Sequence, residues 1–156
     1  MKLNRFLTQK KYITIKLKYT NTNHYSIKAK INGVKGSFIL DTGASNTCIG
    51  SEFTTKFQLE TTESEIKATG AGSTDIKTEL ANDVTIKIGK WKKRANAFVI
   101  IDISHINEAL IKHNSKPVHG IIGADLLKKG KAILDYNSNL LYLKTGQTHT
   151  FLNKFS

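Results

Sequence analysis

A chain of 156 residues that is 39 % hydrophobic and 23 % charged suits a single domain over residues 1–156 with one modest core, and excludes the few-apolar, highly charged composition of a disordered protein. One cysteine, Cys48, excludes an intrachain disulfide framework, and with no ~18-residue apolar span or signal-peptide-like run the expectation is a cytoplasmic protein without membrane contact. The net charge of +12 invites a nucleic-acid partner, but only Arg5 and Arg94 of the 24 basic residues are arginine, and the lysines are scattered as on solvated strand faces, which argues against that reading.

Tyr12 to Tyr19 alternates apolar and polar residues and predicts a strand, followed by a turn at Thr20-Asn-Thr-Asn-His24 and a second strand from Tyr25 to Ile31. Asn32-Gly33 suits a tight hairpin turn, whose two central positions favour positive φ. A third strand, Gly36 to Leu40, runs into Asp41-Thr42-Gly43. Apolar residues Phe38-Ile-Leu40 lead in and no neighbour is a cation, so the Asp41 carboxylate is expected where water is scarce, a costly position unless it is hydrogen-bonded or paired. Ala44 to Ile49 resumes an extended reading, and Ser51 to Phe57 predicts one short helical turn that packs Phe53 and Phe57.

Ile66 to Ile76 has a small, glycine-bearing centre between residues able to pair, and predicts a hairpin. Strands from Leu80 to Ile88 and Ala95 to Ile101 follow, and the cluster Lys90-Trp-Lys-Lys-Arg94 reads as a turn with solvated lysines and Trp91 as its anchor. Ile103, Ile106 and Leu110 at helical spacing, with Asp102 or Ser104 able to cap, predict a helix at about 104–113. After an apolar run with two glycines from Val118, a short helix from Ala124 to Lys129 carries Asp125 near its start as a cap. A last hairpin joins residues 132–135 to 140–143. Many short strands with one or two small helices make the domain mainly β.

Cys48 reads as core filler, with a redox switch as the sharper alternative, and His119 as a surface or edge histidine. The five histidines show no i, i+4 pairing and no Cys/His clustering, so neither a metal nor another cofactor is expected.

Two segments, Phe38-Ile-Leu-Asp41-Thr-Gly-Ala-Ser45 and Gly120-Ile-Ile-Gly123-Ala-Asp125-Leu-Leu127, separated by the glycine-bearing hairpin, resemble the retroviral-type, or retropepsin-like, aspartic proteases over about residues 25–143. The resemblance implies a closed-barrel-like acid-protease fold with a β-hairpin flap, and an endopeptidase in which Asp41 is catalytic. Thr42, Gly43, Ala44 and Ser45 would complete the active-site loop. Ala68, Thr69, Gly70, Ala71, Gly72, Ser73 and Thr74 would form the flap over an extended peptide. Gly120, Ile121, Ile122, Gly123 and Asp125 would support the loop from beside it.

Peptide hydrolysis by this route needs one carboxylate as base on water and another as acid, yet the chain holds one such motif. Asp75, Asp83, Asp102 and Asp135 lie in turn-like or edge-like surroundings. A two-fold homodimer resolves the count by setting Asp41 against its own copy. Retroviral enzymes usually carry an acidic residue where Ser45 stands and an arginine where Ala124 stands; both are missing here. The alternative is a non-catalytic module of the same fold that dimerises or clamps a peptide.

Overall fold

The computed structural model describes residues 2–64, 68–70, 73–76, 78–95 and 97–146. Helix α1 (Leu3–Gln9), which the sequence reading does not anticipate, buries only Leu7 and leaves Leu3 and Phe6 exposed. The predicted first strand divides into β1 (Tyr12–Lys16) and β2 (Lys18–Tyr19), because Leu17 between them turns into the core. In β3 (Tyr25–Ile31) strict alternation buries Tyr25, Ile27, Ala29 and Ile31 and exposes Lys28 and Lys30. Asn32 and Gly33 turn the chain at φ of 50° and 82° into β4 (Val34–Leu40), as an Asn-Gly hairpin requires.

The chain continues through β5 (Cys48–Gly50), a 3-10 turn at Ser51–Phe53, β6 (Thr61–Glu63), β7 (Ala68–Gly70), β8 (Ser73–Ile76), β9 (Glu79–Ala81), β10 (Val84–Ile88), β11 (Trp91–Ala95) and β12 (Phe98–Ile101). Then come α2 (Ser104–Lys112), β13 (Gly120–Ile122), α3 (Ala124–Lys129), β14 (Ile133–Asp135) and β15 (Leu140–Lys144). Strands β7 and β8 pair as the expected hairpin; Ala71 and Gly72 of the expected flap lie outside the described residues. The run Lys90 to Arg94 is not a turn: Gly89-Lys90 turns, and Trp91 to Ala95 is a strand that alternates Trp91 and Ala95 inward with Lys92 and Arg94 outward.

Ten strands form one sheet in the order β11-β10-β3-β4-β13-β5-β12-β9-β6, with β2 added beside β3, and β1-β15-β14 form a second. The mainly β class is as expected, with three α-helices instead of one or two, but the sheet is an open path and not a closed barrel. Its last strand, β6, exposes all three residues and so has no apolar face that closure against β11 would bury. The main core gathers Phe38, Ile49, Phe57, Ile86, Trp91, Phe98 and Ile122, while a smaller cluster, Ile39, Ile103, Leu110 and Val118, fixes α2 to the other face of β4. No described helix is long and apolar enough to cross a membrane.

Candidate active site

The site is built on a crossing of three strands. Strand β13 lies parallel to β4 and antiparallel to β5, wedged between them with Ile122 opposite Leu40 and Gly120 opposite Ile49. The wedge continues past the strand ends: Asp41 N–H donates to Ile122 O at 2.9 Å, and Ala124 N–H donates to Ala44 O at 2.7 Å. This close approach excludes side chains. A Cβ on Gly120 would stand 2.2 Å from Cys48 O, and one on Gly123 2.6 Å from Ala44 O, both backbone atoms that cannot step aside.

Beneath the loop, Thr47 is fully buried and satisfied on every side. Its N–H meets both Asp125 oxygens at 2.9 and 3.0 Å, its hydroxyl donates to Oδ1 at 2.7 Å, and the same hydroxyl accepts Gly123 N–H at 3.1 Å. Asp125 serves the helix start and more. Gly123 is the N-cap of α3, and Asp125 in the first turn accepts the Leu126 N–H on Oδ1 at 2.8 Å; the same carboxylate also ties the helix start to the segment after Ser45. Most buried polar groups in folded proteins are paired in this way. Sequence reasoning missed Thr47, whose partner lies 78 residues away; the one signal is a hydroxyl at the mouth of an apolar strand.

The upper side of the loop is different. Asp41, Thr42, Gly43 and Ser45 are exposed and Ala44 half-buried. The expectation of a dry Asp41 fails because burial ends with Leu40, 7 % exposed. The chain turns there, and Gly43 N–H donates to Asp41 Oδ1 at 2.9 Å in an Asx-type turn that holds the carboxylate outward.

Two cavities flank Asp41. One, of about 450 Å³, is walled by Tyr19, Tyr25, Leu134 and Tyr136 and also meets Thr42. The other, of about 290 Å³, lies between Ile39 and Ile121 on the strands and His105, Ile106, Ala109 and Leu110 on α2. His24 lines both, its Nδ1 tied to Thr22 Oγ1 at 2.8 Å. Tyr25 stacks on Tyr19 with ring centroids 4.4 Å apart, and burial, then the Tyr19 hydrogen bond, pushes its hydroxyl up to about 12. It stays a neutral donor, to Asn139 Oδ1 at 2.7 Å. None of these wall residues carries a sequence motif.

Other candidates resolve elsewhere. Asp83 pairs with Arg94, Asp102 accepts Ser104 N–H, which lowers its pKa, and Asp135 accepts the amides of Asn137 and Ser138. Burial pushes the Cys48 thiol up to about 11, so it remains protonated and unreactive, in keeping with a packing role. His119 is not a plain surface residue: its Nδ1 accepts Ser37 N–H at 3.0 Å and its ring meets Phe53 edge to face at 4.7 Å. No group of three or more His, Cys, Asp and Glu placed to hold a metal occurs among the described residues.

A family model described as aspartyl protease matches residues 27–126, which include Asp41 and Asp125. Among solved structures, a retropepsin-like aspartic protease from Rickettsia conorii is similar at 22 % identity with a TM-score of 0.55, over 85 % of this chain and 89 % of that one. The EIAV protease in complex with an inhibitor is similar at 20 % identity and a TM-score of 0.55, over 76 % of this chain and 98 % of that one. The retroviral protease-like domain of Ddi1 from Leishmania major is similar at 16 % identity and a TM-score of 0.53, over 83 % and 92 %. No curated protein sequence matches. The shared fold is that of the retropepsins.

Proposed function

The chain belongs to the aspartyl protease family, and on that premise we propose that it cleaves polypeptides as a homodimer in which Asp41 and its copy share the work of acid and base. The observation that carries this reading is the exposed Asp41 carboxylate, held outward by Gly43 between two cavities, with no second carboxylate among the described residues that line either one. Two such carboxylates brought together do not both ionise; they share a proton and titrate as a pair, as the paired carboxylates of aspartic proteases do in general. One then activates water while the other protonates the scissile carbonyl oxygen.

Thr42 would bond across the two-fold axis and hold the loops in register, and Gly43 would admit the substrate backbone. Residues 68–74 of the β7–β8 hairpin would close as a flap and exclude water. Substrates would bind extended, with backbone pairing for affinity and the flanking cavities for side-chain preference.

The test is subunit mixing. Asp41→Asn protein added to wild type lowers the cleavage of an unfolded protein more than dilution does, because mixed dimers hold one native carboxylate. Undiminished cleavage overturns the shared dyad. Wild-type kcat/KM against pH is bell-shaped, and a chain that dimerises and binds peptides without cutting them is the non-catalytic module.

A further inference from the structure

The lysines that look scattered in sequence are collected by strand register. Lys35 stands directly opposite Lys30 across β4 and β3, Lys30 opposite Lys87 across β3 and β10, and Lys87 opposite Lys92 across β10 and β11. Four exposed ammonium groups thus cross four neighbouring strands in one row, spanning about 14 Å at the usual strand spacing. Lys28, whose Nζ donates to Ser37 Oγ at 2.6 Å, stands beside it, and a groove of about 460 Å³ runs among Lys28, Lys30, Lys35 and Lys87. The four strands contain no aspartate or glutamate. Like charges directly opposite each other destabilise a sheet. A face kept only for solubility would intersperse signs, so this arrangement sets a cost in stability against a function.

We propose that this groove is an exosite that binds an acidic segment of the polypeptide substrate. The inference rests on the protease reading above for the identity of the partner. Lysines are point charges without the planar fork that selects phosphate, and the sole arginine on these strands, Arg94, is engaged with Asp83. The aromatic residues of the four strands, Tyr25, Phe38 and Trp91, are all buried, so the face has no platform for stacking bases. A groove also suits an extended chain better than a planar bilayer. Lys35 lies six residues before Asp41 along the chain of β4, about 20 Å away, so the acidic segment falls six or more residues from the scissile bond.

The test is anisotropy of a fluorescein-labelled oligoglutamate with the full chain at low salt, using Lys30→Glu/Lys92→Glu, which makes the row alternate in sign. Lys112→Glu/Lys116→Glu, at exposed sites elsewhere, changes net charge equally. The row variant loses about tenfold or more in affinity and the control less than about twofold. The row variant's thermal midpoint also rises, since three like-charge oppositions become attractions, so lost binding is not lost fold.

Equal loss in both variants reduces the effect to net charge and overturns the exosite. Tighter binding of duplex DNA or of phosphatidylglycerol vesicles than of oligoglutamate at the same salt overturns the peptide assignment. Asp41→Asn protein binds oligoglutamate as wild type does, so a failure of the catalytic reading and a failure of the exosite are separately visible.

Discussion

The two sides of the Asp41 loop are finished to different degrees. Below it, Thr47, Asp125 and Gly123 satisfy one another, and β13 is clamped between β4 and β5 at distances that only glycine tolerates. Above it, the Asp41 carboxylate accepts one hydrogen bond, from Gly43, among the described residues, and Thr42 stands in solvent. The difference teaches where the chain concentrates its stability: on a floor that holds the loop, leaving the face proposed to react open to whatever meets it. Substitutions below should therefore be read in stability and substitutions above in activity.

The sharpest break of that contrast is Asp41→Asn. Loss of the acid and base work proposed for it should lower kcat/KM by roughly a hundred- to ten-thousandfold, while an exposed isosteric change leaves stability within about 0.5 kcal/mol. A large fall in the urea midpoint would mean that Asp41 also supports the floor. Gly120→Ala is the converse. Its Cβ would sit 2.2 Å from Cys48 O between two strands that cannot separate independently, so destabilisation of about 3 kcal/mol or more is expected from overpacking. Any activity that survives should belong to the folded fraction.

A smaller effect isolates the polar half of the floor. Thr47→Val keeps the shape but removes the hydroxyl that serves both Asp125 and Gly123, leaving a buried amide unsatisfied at a cost of about 2–3 kcal/mol. Thr47→Ser keeps both bonds and recovers most of that loss in the same urea titration. If Val and Ser behave alike, packing and not hydrogen bonding holds the segment after Ser45.

The same contrast governs what is legible in the sequence. Strand β3, its Asn-Gly turn, and helix α3 are readable because a local period or a turn residue specifies them. The identity of the loop is readable because motif residues cluster in chain. Strand β11 is hidden, since four cations beside Trp91 outweigh a weak alternation when composition is read first. The exposure of Asp41 is hidden because apolar residues before it say that a strand is buried, not where burial stops. Thr47 with Asp125, the tyrosine wall and the lysine row all depend on partners distant in sequence or on cross-strand register, which no single-strand pattern encodes.

The smallest expected effect lies midway along β4, where His119 reaches Ser37. Burial first, then the nearby Lys56 and Lys28, lowers the pKa of His119. Its Nδ1 accepts the Ser37 amide, a bond that only the neutral ring can make. The unfolded chain, with an ordinary histidine near pH ~6.5, therefore takes up a proton before the folded chain does. Stability from this residue is full above about pH 6.5 and declines as pH falls below it towards the lower folded-state value. His119→Asn offers an oxygen near the Nδ1 position and cannot titrate, so its thermal midpoint should lack the shallow decline that wild type shows between about pH 6.5 and 5.5. A wild-type midpoint that instead rises over that interval would place a charged His119 against Glu52, which faces it more weakly than the two lysines, and would make this corner of the floor an ion pair in place of a neutral clamp.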